Sequence, residues 1–514
     1  MLKSSLFVSL LSLFISFISF FSQILIANYF GASSDLDVFL AASSIPTMIS
    51  AIITSAFSYS LTPLLIKSRF NNSFNYDIYL GKFIVKITML ASCVFLIGVL
   101  LSLFSIKFLY PNFLGQRYDL FVKVSIITWV TSLISIILSF FVSLFNSKEM
   151  FKYPLILSVL PYILSIILMY YLRFYLGILA IPLGVMIGTL INFIISIAAN
   201  NKDIKYTKLK NSEVSISINN YIKKIPVVSI AMLCFSIYQS IDAYWGPRLG
   251  ENNLSYLGYC QRIVIAVGTL VIVGPSTVLV PRLTIAIAEN RKMDFLNDST
   301  TVVKLIIALG SILALIFSIL SKSIIEIMFQ RGKFTNENTI GVASIFPYML
   351  IGMVFMLCVV MLYRAFFVNT MGDKVAFLGL LSTVLYFSFS GIGSNYFGLT
   401  GIAISYILTW AIMFFLSIGL LYKKNYDVII NASTFYFILK QIVSLLITGI
   451  IVSTVYNNSY KELFNVHLLN LLVQVIITSV IGMSIYFLLS IYVLKQNEVV
   501  IFFKGIKSLL IRRS

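Results

Sequence analysis

Two ionisable residues lie well inside apolar segments of this 514-residue chain, where a charge is costly and is therefore a functional candidate by default. They are Asp242 and Arg262, at similar depths on two consecutive predicted helices. One interpretation is a mutual ion pair that fixes helix packing. The other is an arginine that faces a central cavity, where its planar guanidinium suits a phosphate or pyrophosphate. The residues alone leave both interpretations open.

A second acidic pair, Asp35 and Asp37, follows Phe30-Gly31-Ala32 at the start of an apolar segment. Carboxylates are favoured at helix N-termini, so helix capping competes with a functional role for both residues. Other cations near the ends of apolar segments are expected to extend toward the lipid headgroups, and they are Lys86, Lys123, Lys304, Arg364 and Lys440.

The elements that position these residues are membrane-spanning helices. The chain is 59% hydrophobic and 11% charged, whereas a soluble domain carries roughly 25% charged residues. Its apolar runs are continuous, which favours helices over the alternating strands of a barrel. We therefore expect an all-α polytopic membrane protein with about fourteen transmembrane helices, at 5–29, 37–66, 83–109, 119–146, 153–172, 175–199, 223–246, 257–288, 302–329, 341–367, 374–395, 398–422, 435–456 and 467–494.

The positive charge follows this topology. With the N-terminus in the cytoplasm, 26 of the 37 Lys and Arg residues fall on the inner side, 8 on the outer side and 3 inside spans. This asymmetry predicts that both termini are cytoplasmic, and it accounts for most of the net charge of +19 without a nucleic-acid partner. One histidine and four scattered cysteines offer no metal, cofactor or catalytic cluster, so we expect neither an enzyme nor a metal site.

An internal repeat relates the two halves of the chain. Leu61-Thr62-Pro63 recurs as Leu279-Val280-Pro281 at an offset of 218, and Gly31 recurs as Gly250 at an offset of 219. A parallel repeat predicts two pseudo-symmetric six-helix lobes, 1–200 and 223–422, joined by a cytoplasmic loop at 201–222. Residues 423–514 add spans 13–14 and a basic cytoplasmic tail. Candidate hinges or kinks in this arrangement are Gly31, Pro46, Pro63, Gly250, Pro275 and Pro281.

Three segments carry a resemblance to a known family. The run 29–39 with 62–65 resembles the start of the MurJ/MviN-type lipid II flippases, and 259–262 with 280–283 resembles their eighth span. The segment 329–335 is similar to their loop between spans 9 and 10. The resemblance implies membership of the multidrug/oligosaccharidyl-lipid/polysaccharide exporter superfamily, with two lobes around a cavity that opens alternately to each side. It also implies Arg262 as the cavity arginine and Asp37 as the acid that opens span 2.

The sequence departs from the family at several places. Typical members carry cavity arginines in spans 1 and 2, where this chain has the uncharged Ser16, Ser22 and Ser50. Asp242 matches an acid of sodium-binding members. At the positions in span 11 where those members have Asn and Asp partners, this chain has Tyr386 and Ser390, which argues against a sodium site.

The expected function is a monomeric flippase that moves an undecaprenyl-pyrophosphate-linked glycan outward across the bacterial inner membrane by alternating access. Its partners would be this lipid-linked oligosaccharide and the membrane lipids. The sequence does not distinguish lipid II for peptidoglycan from an O-antigen or capsule unit as the cargo. Coupling to the membrane potential, to H⁺ or to Na⁺ is also open. The alternatives are a cation-coupled multidrug exporter of the same superfamily and a membrane glycan polymerase or ligase.

Overall fold

The computed structural model describes residues 2–69, 76–113, 115, 117–200, 237–289, 291–368, 371–422, 432–458, 467–496 and 500. Every regular element in these ranges is a helix. The long helices are apolar over most of their length, and a helix satisfies its own backbone hydrogen bonds, as a lipid environment requires. The chain forms two compact units, Met1–Ser255 and Tyr256–Ser514.

The first unit contains the helices up to residue 249. They are α1 (Leu2–Phe30), α2 (Ser34–Arg69), α3 (Tyr76–Leu109), α4 (Tyr118–Ser147), α5 (Lys152–Leu157), α6 (Leu160–Leu176), α7 (Ala180–Asn200) and α8 (Tyr238–Trp245), with 3-10 turns at Pro111–Phe113, Gly177–Leu179 and Gly246–Leu249. Helix α4 packs against α2, α3 and α7. Phe83 of α3 stacks on Phe140 of α4 within this core.

Helix α9 (Asn253–Ala288) begins in the first unit and continues into the second. The others are α10 (Lys292–Ile319), α11 (Ser321–Phe329), α12 (Asn336–Val368), α13 (Gly372–Tyr422), α14 (Ala432–Asn458) and α15 (His467–Leu488), which ends in a π-helical turn at Leu489–Val493. Helices α14 and α15 pack on α10, where the hydroxyl of Tyr486 donates to Gln441 Oε1 (2.9 Å) and to the carbonyl of Ala308 (3.1 Å).

The predicted spans coincide with described apolar helices, with one exception. Ten stretches are long and apolar enough to cross a membrane in the described ranges, and two of these, Lys152–Asn200 and Gly372–Leu421, contain two predicted spans each. The first span corresponds to α1, which includes the apolar stretch Phe14–Phe30. The seventh span lies mostly outside the described residues, as does the predicted loop 201–222, so the lobe boundary stays a prediction.

Both units contain the same tight hairpin of two helices. Gly177 joins α6 to α7 with φ 54° and ψ −136°, and Gly398 bends α13 with φ 58° and ψ −134°. Residues with a Cβ rarely adopt this backbone conformation, so glycine is needed at both positions. The flanking sequences are alike, Tyr175-Leu176-Gly177 and Tyr396-Phe397-Gly398, and they repeat at an offset close to that of the other internal matches.

Glycines also set how closely the helices of each hairpin approach. A Cβ on Gly184 would lie 2.4 Å from the backbone of Ser165, and one on Gly401 would lie 1.9 Å from the carbonyl oxygen of Gly393. Membrane helices lack a hydrophobic driving force between them and depend on such close contacts. The hairpins are therefore packed backbone against backbone.

The substitution Gly401→Ala tests this packing. The added methyl group overlaps a backbone oxygen that cannot move without displacing its helix, so we expect a loss of about 1–3 kcal/mol in the free energy of unfolding. Thermal unfolding in detergent measures it. The matched control is Gly419→Ala in the same helix, where no atom lies within 4 Å, and a loss of stability as large as that of Gly401→Ala would contradict the packing argument.

Candidate functional site

A buried carboxylate connects the first turn of α2 with the first turn of α9. Asp37 is 1% exposed, and its Oδ1 accepts hydrogen bonds from the backbone N–H of Ser255 (2.7 Å) and from the hydroxyl of Ser255 (2.5 Å). The backbone N–H of Asn252 also bonds to this carboxylate. Asp37 therefore caps a helix that begins more than two hundred residues farther along the chain.

Asp37 can serve in this way because the N–H groups at the start of a helix need acceptors. The first turn of a helix leaves its N–H groups without intrahelical acceptors, and together they carry a partial positive charge. Asp37 also stands in the first turn of its own helix, where its N–H bonds to the carbonyl of Ser33 (3.0 Å). One carboxylate thus lies at the N-termini of two helices, which favour its negative charge.

A second set of polar contacts lies beside Asp37 and joins the buried Ser34 to the more exposed Glu251 and Arg117. Glu251 accepts a hydrogen bond from the hydroxyl of Ser34 (2.6 Å) and forms an ion pair with Arg117 (3.0 Å). The hydroxyl of Ser34 and, next, the guanidinium of Arg117 lower the pKa of the Glu251 carboxyl below its ordinary value. We call Ser34, Asp37, Arg117, Glu251 and Ser255 the Asp37 cluster.

The turn before α9 is held by the junction between α3 and α4. Asn112 donates a hydrogen bond to the carbonyl of Pro247 (2.5 Å), and the guanidinium of Arg248 lies 3.6 Å from the centre of the Tyr244 ring. Gly250 has φ 124° and Asn252 has φ 70°, so the chain reverses sharply between the 3-10 turn and α9. The start of α9 is therefore held both by Asp37 of α2 and by the junction between α3 and α4.

Arg262 lies two helical turns beyond Ser255 on α9. Seven residues of helix correspond to about 10 Å along the axis. Arg262 is half-buried. One turn before it, the ring of Tyr259 packs against Phe329 (5.0 Å) and Phe334 (5.2 Å), which flank the 330–333 loop. This aromatic cluster packs Tyr259 against the residues on both sides of that loop within the second unit.

The other predicted residues lie apart from this cluster or have no local feature that assigns them a role. Asp242 is 1% exposed in α8, and Asp35 is exposed in the first turn of α2. Gly31 ends α1 with φ 64°. The four proline positions fall within helices that continue through them, and they are Pro46 and Pro63 in α2 and Pro275 and Pro281 in α9. Their roles as hinges and the pairing of Asp242 with Arg262 stay predictions.

Metal binding has no evident site in the ranges that the structure describes, where no three His, Cys, Asp or Glu side chains gather as ligands. Tyr386 and Ser390, at the positions expected for sodium partners, are fully buried.

Most of the Asp37 cluster is not evident from the sequence, although the internal repeat contains a signal for one contact. The repeat offset of 218 aligns Asp37 with Ser255, and these two equivalent positions hydrogen-bond to each other. The internal repeat gives no such indication for Glu251 or Arg117. They lie in short polar turns, and only the fold brings them within 3.0 Å.

Comparison with known proteins gives one family. The family model described as "Lipid II flippase MurJ" matches residues 26–475, which is most of the chain. A probable lipid II flippase MurJ of Buchnera aphidicola subsp. Schizaphis graminum is 25% identical over 461 residues, covering 87% of this chain and 88% of the relative. One from Bdellovibrio bacteriovorus is 26% identical over 200 residues, covering 39% and 38%.

Solved structures show the same fold at low sequence identity. A lipid II flippase MurJ in an inward closed conformation has a TM-score of 0.76 and 18% identity, covering 95% of this chain and 98% of that chain. An inward-facing multidrug resistance MATE family transporter has a TM-score of 0.65 and 13% identity, covering 80% and 96%.

The variant Asp37→Ala tests the capping interaction. It leaves the buried N–H of Ser255 without its acceptor and the hydroxyl with only the carbonyl of Ser33 (3.4 Å), so we expect a loss of about 1–3 kcal/mol in the free energy of unfolding. Thermal unfolding in detergent again measures the change. Asp35→Ala, two residues away and exposed, should change stability little. Equal effects of the two substitutions would show that Asp37 is not the acid that holds α9.

Proposed function

The chain belongs to the lipid II flippase MurJ family, whose members are membrane transporters rather than enzymes, and on that premise we propose that it carries lipid II from the inner to the outer leaflet of the bacterial inner membrane. The observation that most directly supports a transport cycle is the Asp37 cluster. It is a set of short polar bonds that fixes the start of α9 to the start of α2.

In this proposal the Asp37 cluster holds the outer side of the transporter closed. The predicted topology assigns the α1–α2 and α8–α9 junctions to the outer face. Each of these hydrogen bonds contributes a net of roughly 0.5–1.5 kcal/mol, and water can replace every partner once the turn opens. A few such bonds favour the closed state without making it permanent. Opening would separate Ser255 from Asp37 and release the first turn of α9.

Arg262 is the proposed contact for the pyrophosphate of the cargo. Its guanidinium presents several N–H donors in one plane, which matches the oxygens of a phosphate better than an ammonium does. Because Ser255 and Arg262 belong to one helix, the bond at Asp37 sets the position of the arginine about 10 Å farther along. Opening of the Asp37 cluster would therefore move the phosphate-binding group as well.

Spans 1 and 2 carry uncharged serines that bear on the choice of cargo. Ser16 is exposed and bonds to the carbonyl of Ser12, and Ser22 is buried, so neither supplies the charge that the resemblance leads one to expect in spans 1 and 2. With fewer cations to neutralise phosphate and peptide carboxylates, another undecaprenyl-pyrophosphate glycan, such as an O-antigen or capsule unit, is the alternative cargo.

The remaining features of the proposal concern orientation and energy. We propose that both termini are cytoplasmic, from the 26 to 8 distribution of Lys and Arg, and that the protein works as a monomer. The membrane potential is the proposed energy source, since it is worth about 2.3 kcal/mol per charge per 100 mV. Coupling to H⁺ or Na⁺ is the alternative.

Transport of fluorescent lipid II by the purified protein in proteoliposomes tests the function and the role of Arg262 together. We expect Arg262→Ala to lower the initial rate at least about tenfold, since a charge-assisted hydrogen bond contributes roughly 1.5–3 kcal/mol. Arg262→Lys should recover part of the rate, because it restores charge without the planar donors. The matched control is Arg364→Ala, which removes another half-buried arginine of the second unit and should transport at the wild-type rate.

Two outcomes contradict separate parts of the proposal. Wild-type transport by Arg262→Ala would remove the phosphate role from this residue while leaving the function intact. Transport of an undecaprenyl-pyrophosphate oligosaccharide at a rate far above that of lipid II would replace the proposed cargo.

A further inference from the structure

An arginine lies among aromatic rings where α6 ends. Arg173 stands in the last turn of α6, and its guanidinium carbon lies 3.9 Å from the centre of the Tyr29 ring near the end of α1. The rings of Phe174 (4.6 Å) and Tyr170 (6.0 Å) lie close to the same carbon. We call Tyr29, Tyr170, Arg173 and Phe174 the Arg173 cluster. These distances are typical of cation–π contacts, so the rings fix the position of the charge.

The hydrogen-bonding groups of Arg173 are not used by these contacts. Aromatic rings interact with the face of a guanidinium, whereas its N–H groups point outward in the guanidinium plane. The Nη1 atom is buried, and no atom of the residues that the structure describes accepts a hydrogen bond from it. A buried donor without an acceptor is unfavourable. Arg173 therefore favours a ligand that brings oxygen acceptors to the cluster.

The side chains around Arg173 place it at the surface of the membrane. Tyr171 is 69% exposed, Phe174 is 81% exposed and Tyr175 is 87% exposed. Exposed aromatic rings of this kind gather at the depth of the lipid headgroups, and the predicted topology assigns the ends of α1 and α6 to the outer side. Exposed side chains change rotamer within nanoseconds, so rotation of the Phe174 ring opens a path from the headgroups to Nη1.

The second unit contains the same hairpin without the arginine. The offset of 221 between the two hairpin glycines places Ser394 at the position that corresponds to Arg173. Ser394 is 4% exposed, and its hydroxyl bonds to a carbonyl of its own helix. The exposed aromatic residues beside the turn are retained as Tyr396 and Phe397. The hairpin fold therefore does not require an arginine, and Arg173 needs another explanation.

We propose that the Arg173 cluster binds the phosphate of an anionic glycerophospholipid in the outer leaflet. The phosphate oxygens accept hydrogen bonds from the edge of the guanidinium, Nη1 included, and the exposed rings lie beside the glycerol backbone. A planar guanidinium can bind a phosphate through two parallel hydrogen bonds, which an ammonium cannot do. An anionic headgroup fits better than ethanolamine, because ethanolamine would bring a second positive charge close to Arg173. The site does not depend on the identity of the cargo.

Native mass spectrometry of the purified full chain, titrated with phosphatidylglycerol or phosphatidylethanolamine, tests the proposal. Wild-type protein should bind phosphatidylglycerol more tightly. Arg173→Gln should lower the preference for phosphatidylglycerol about fivefold, which corresponds to about 1 kcal/mol for one arginine beside an anionic group. Arg173→Lys should recover only part of the preference, because it restores the charge without the planar donors.

A control variant and a stability measurement accompany the titration. Arg331→Gln removes an exposed arginine that the predicted topology also assigns to the outer side but that lies outside the cluster, and it should bind like the wild type. Both Arg173 variants should fold, because the corresponding hairpin of the second unit forms with a serine at this position. Thermal unfolding in detergent checks this for each variant before the lipids are added.

Four outcomes would overturn the proposal. Two of them are a wild-type preference in either Arg173 variant and an equal loss of preference in Arg331→Gln. The third is displacement of phosphatidylglycerol by inorganic phosphate at equal concentration, because the cluster would then recognise the anion alone. The fourth is displacement by undecaprenyl pyrophosphate in an Arg173-dependent manner, because the cluster would then contact the cargo on the outer side.

Discussion

The N-terminus of α9 has N–H groups that must find acceptors, and the carboxylate of Asp37 supplies one from another helix. A helix start buried without an acceptor is costly, so this hydrogen bond constrains where α9 can begin relative to α2. The turn that precedes α9 then follows, with Glu251 held by Ser34 and Arg117. The position of Arg262, two turns farther along the same helix, depends on this start.

Two classes of contact in the described part of the chain have different physical consequences. The hairpins of α6–α7 and of α13 pack backbone against backbone through glycines, and such contacts have no alternative partner. They make rigid elements. The Asp37 cluster consists of hydrogen bonds and an exposed ion pair, for which water is an adequate substitute. Alternating access needs both classes, since rigid bodies can move only where the bonds between elements are exchangeable.

The sequence predicts the fold well because a bilayer imposes a simple rule on it. Apolar runs of about twenty residues must be helices, and the described helices coincide with the predicted spans. It also singled out Arg262, since a charge in an apolar run is conspicuous, and Asp37, since it stands at the start of an apolar segment after Phe30-Gly31-Ala32. The motifs at 29–39, 259–262 and 329–335 predicted the family that the family model identifies. The topology inferred from the distribution of Lys and Arg stays a prediction.

The parts that the sequence did not predict are pairings between distant residues. Ser255, Glu251 and Arg117 are ordinary polar residues of turns, and their function as partners exists only after folding brings them together. The position of Lys304 also differs from its prediction, because its neighbours suggested the end of a span at 302, while the helix begins ten residues earlier.

A measurement on the Asp37 cluster tests this role of the cluster most directly. With the native cysteines replaced by alanine, Ser34→Cys and Glu251→Cys are bridged in proteoliposomes by a short bis-methanethiosulfonate reagent, which forms one reducible disulfide with each thiol and releases methanesulfinate. Lipid II transport should stop in the bridged protein and return after reduction, while each single cysteine variant should be unaffected by the reagent. Transport by the bridged protein at the unbridged rate would contradict it.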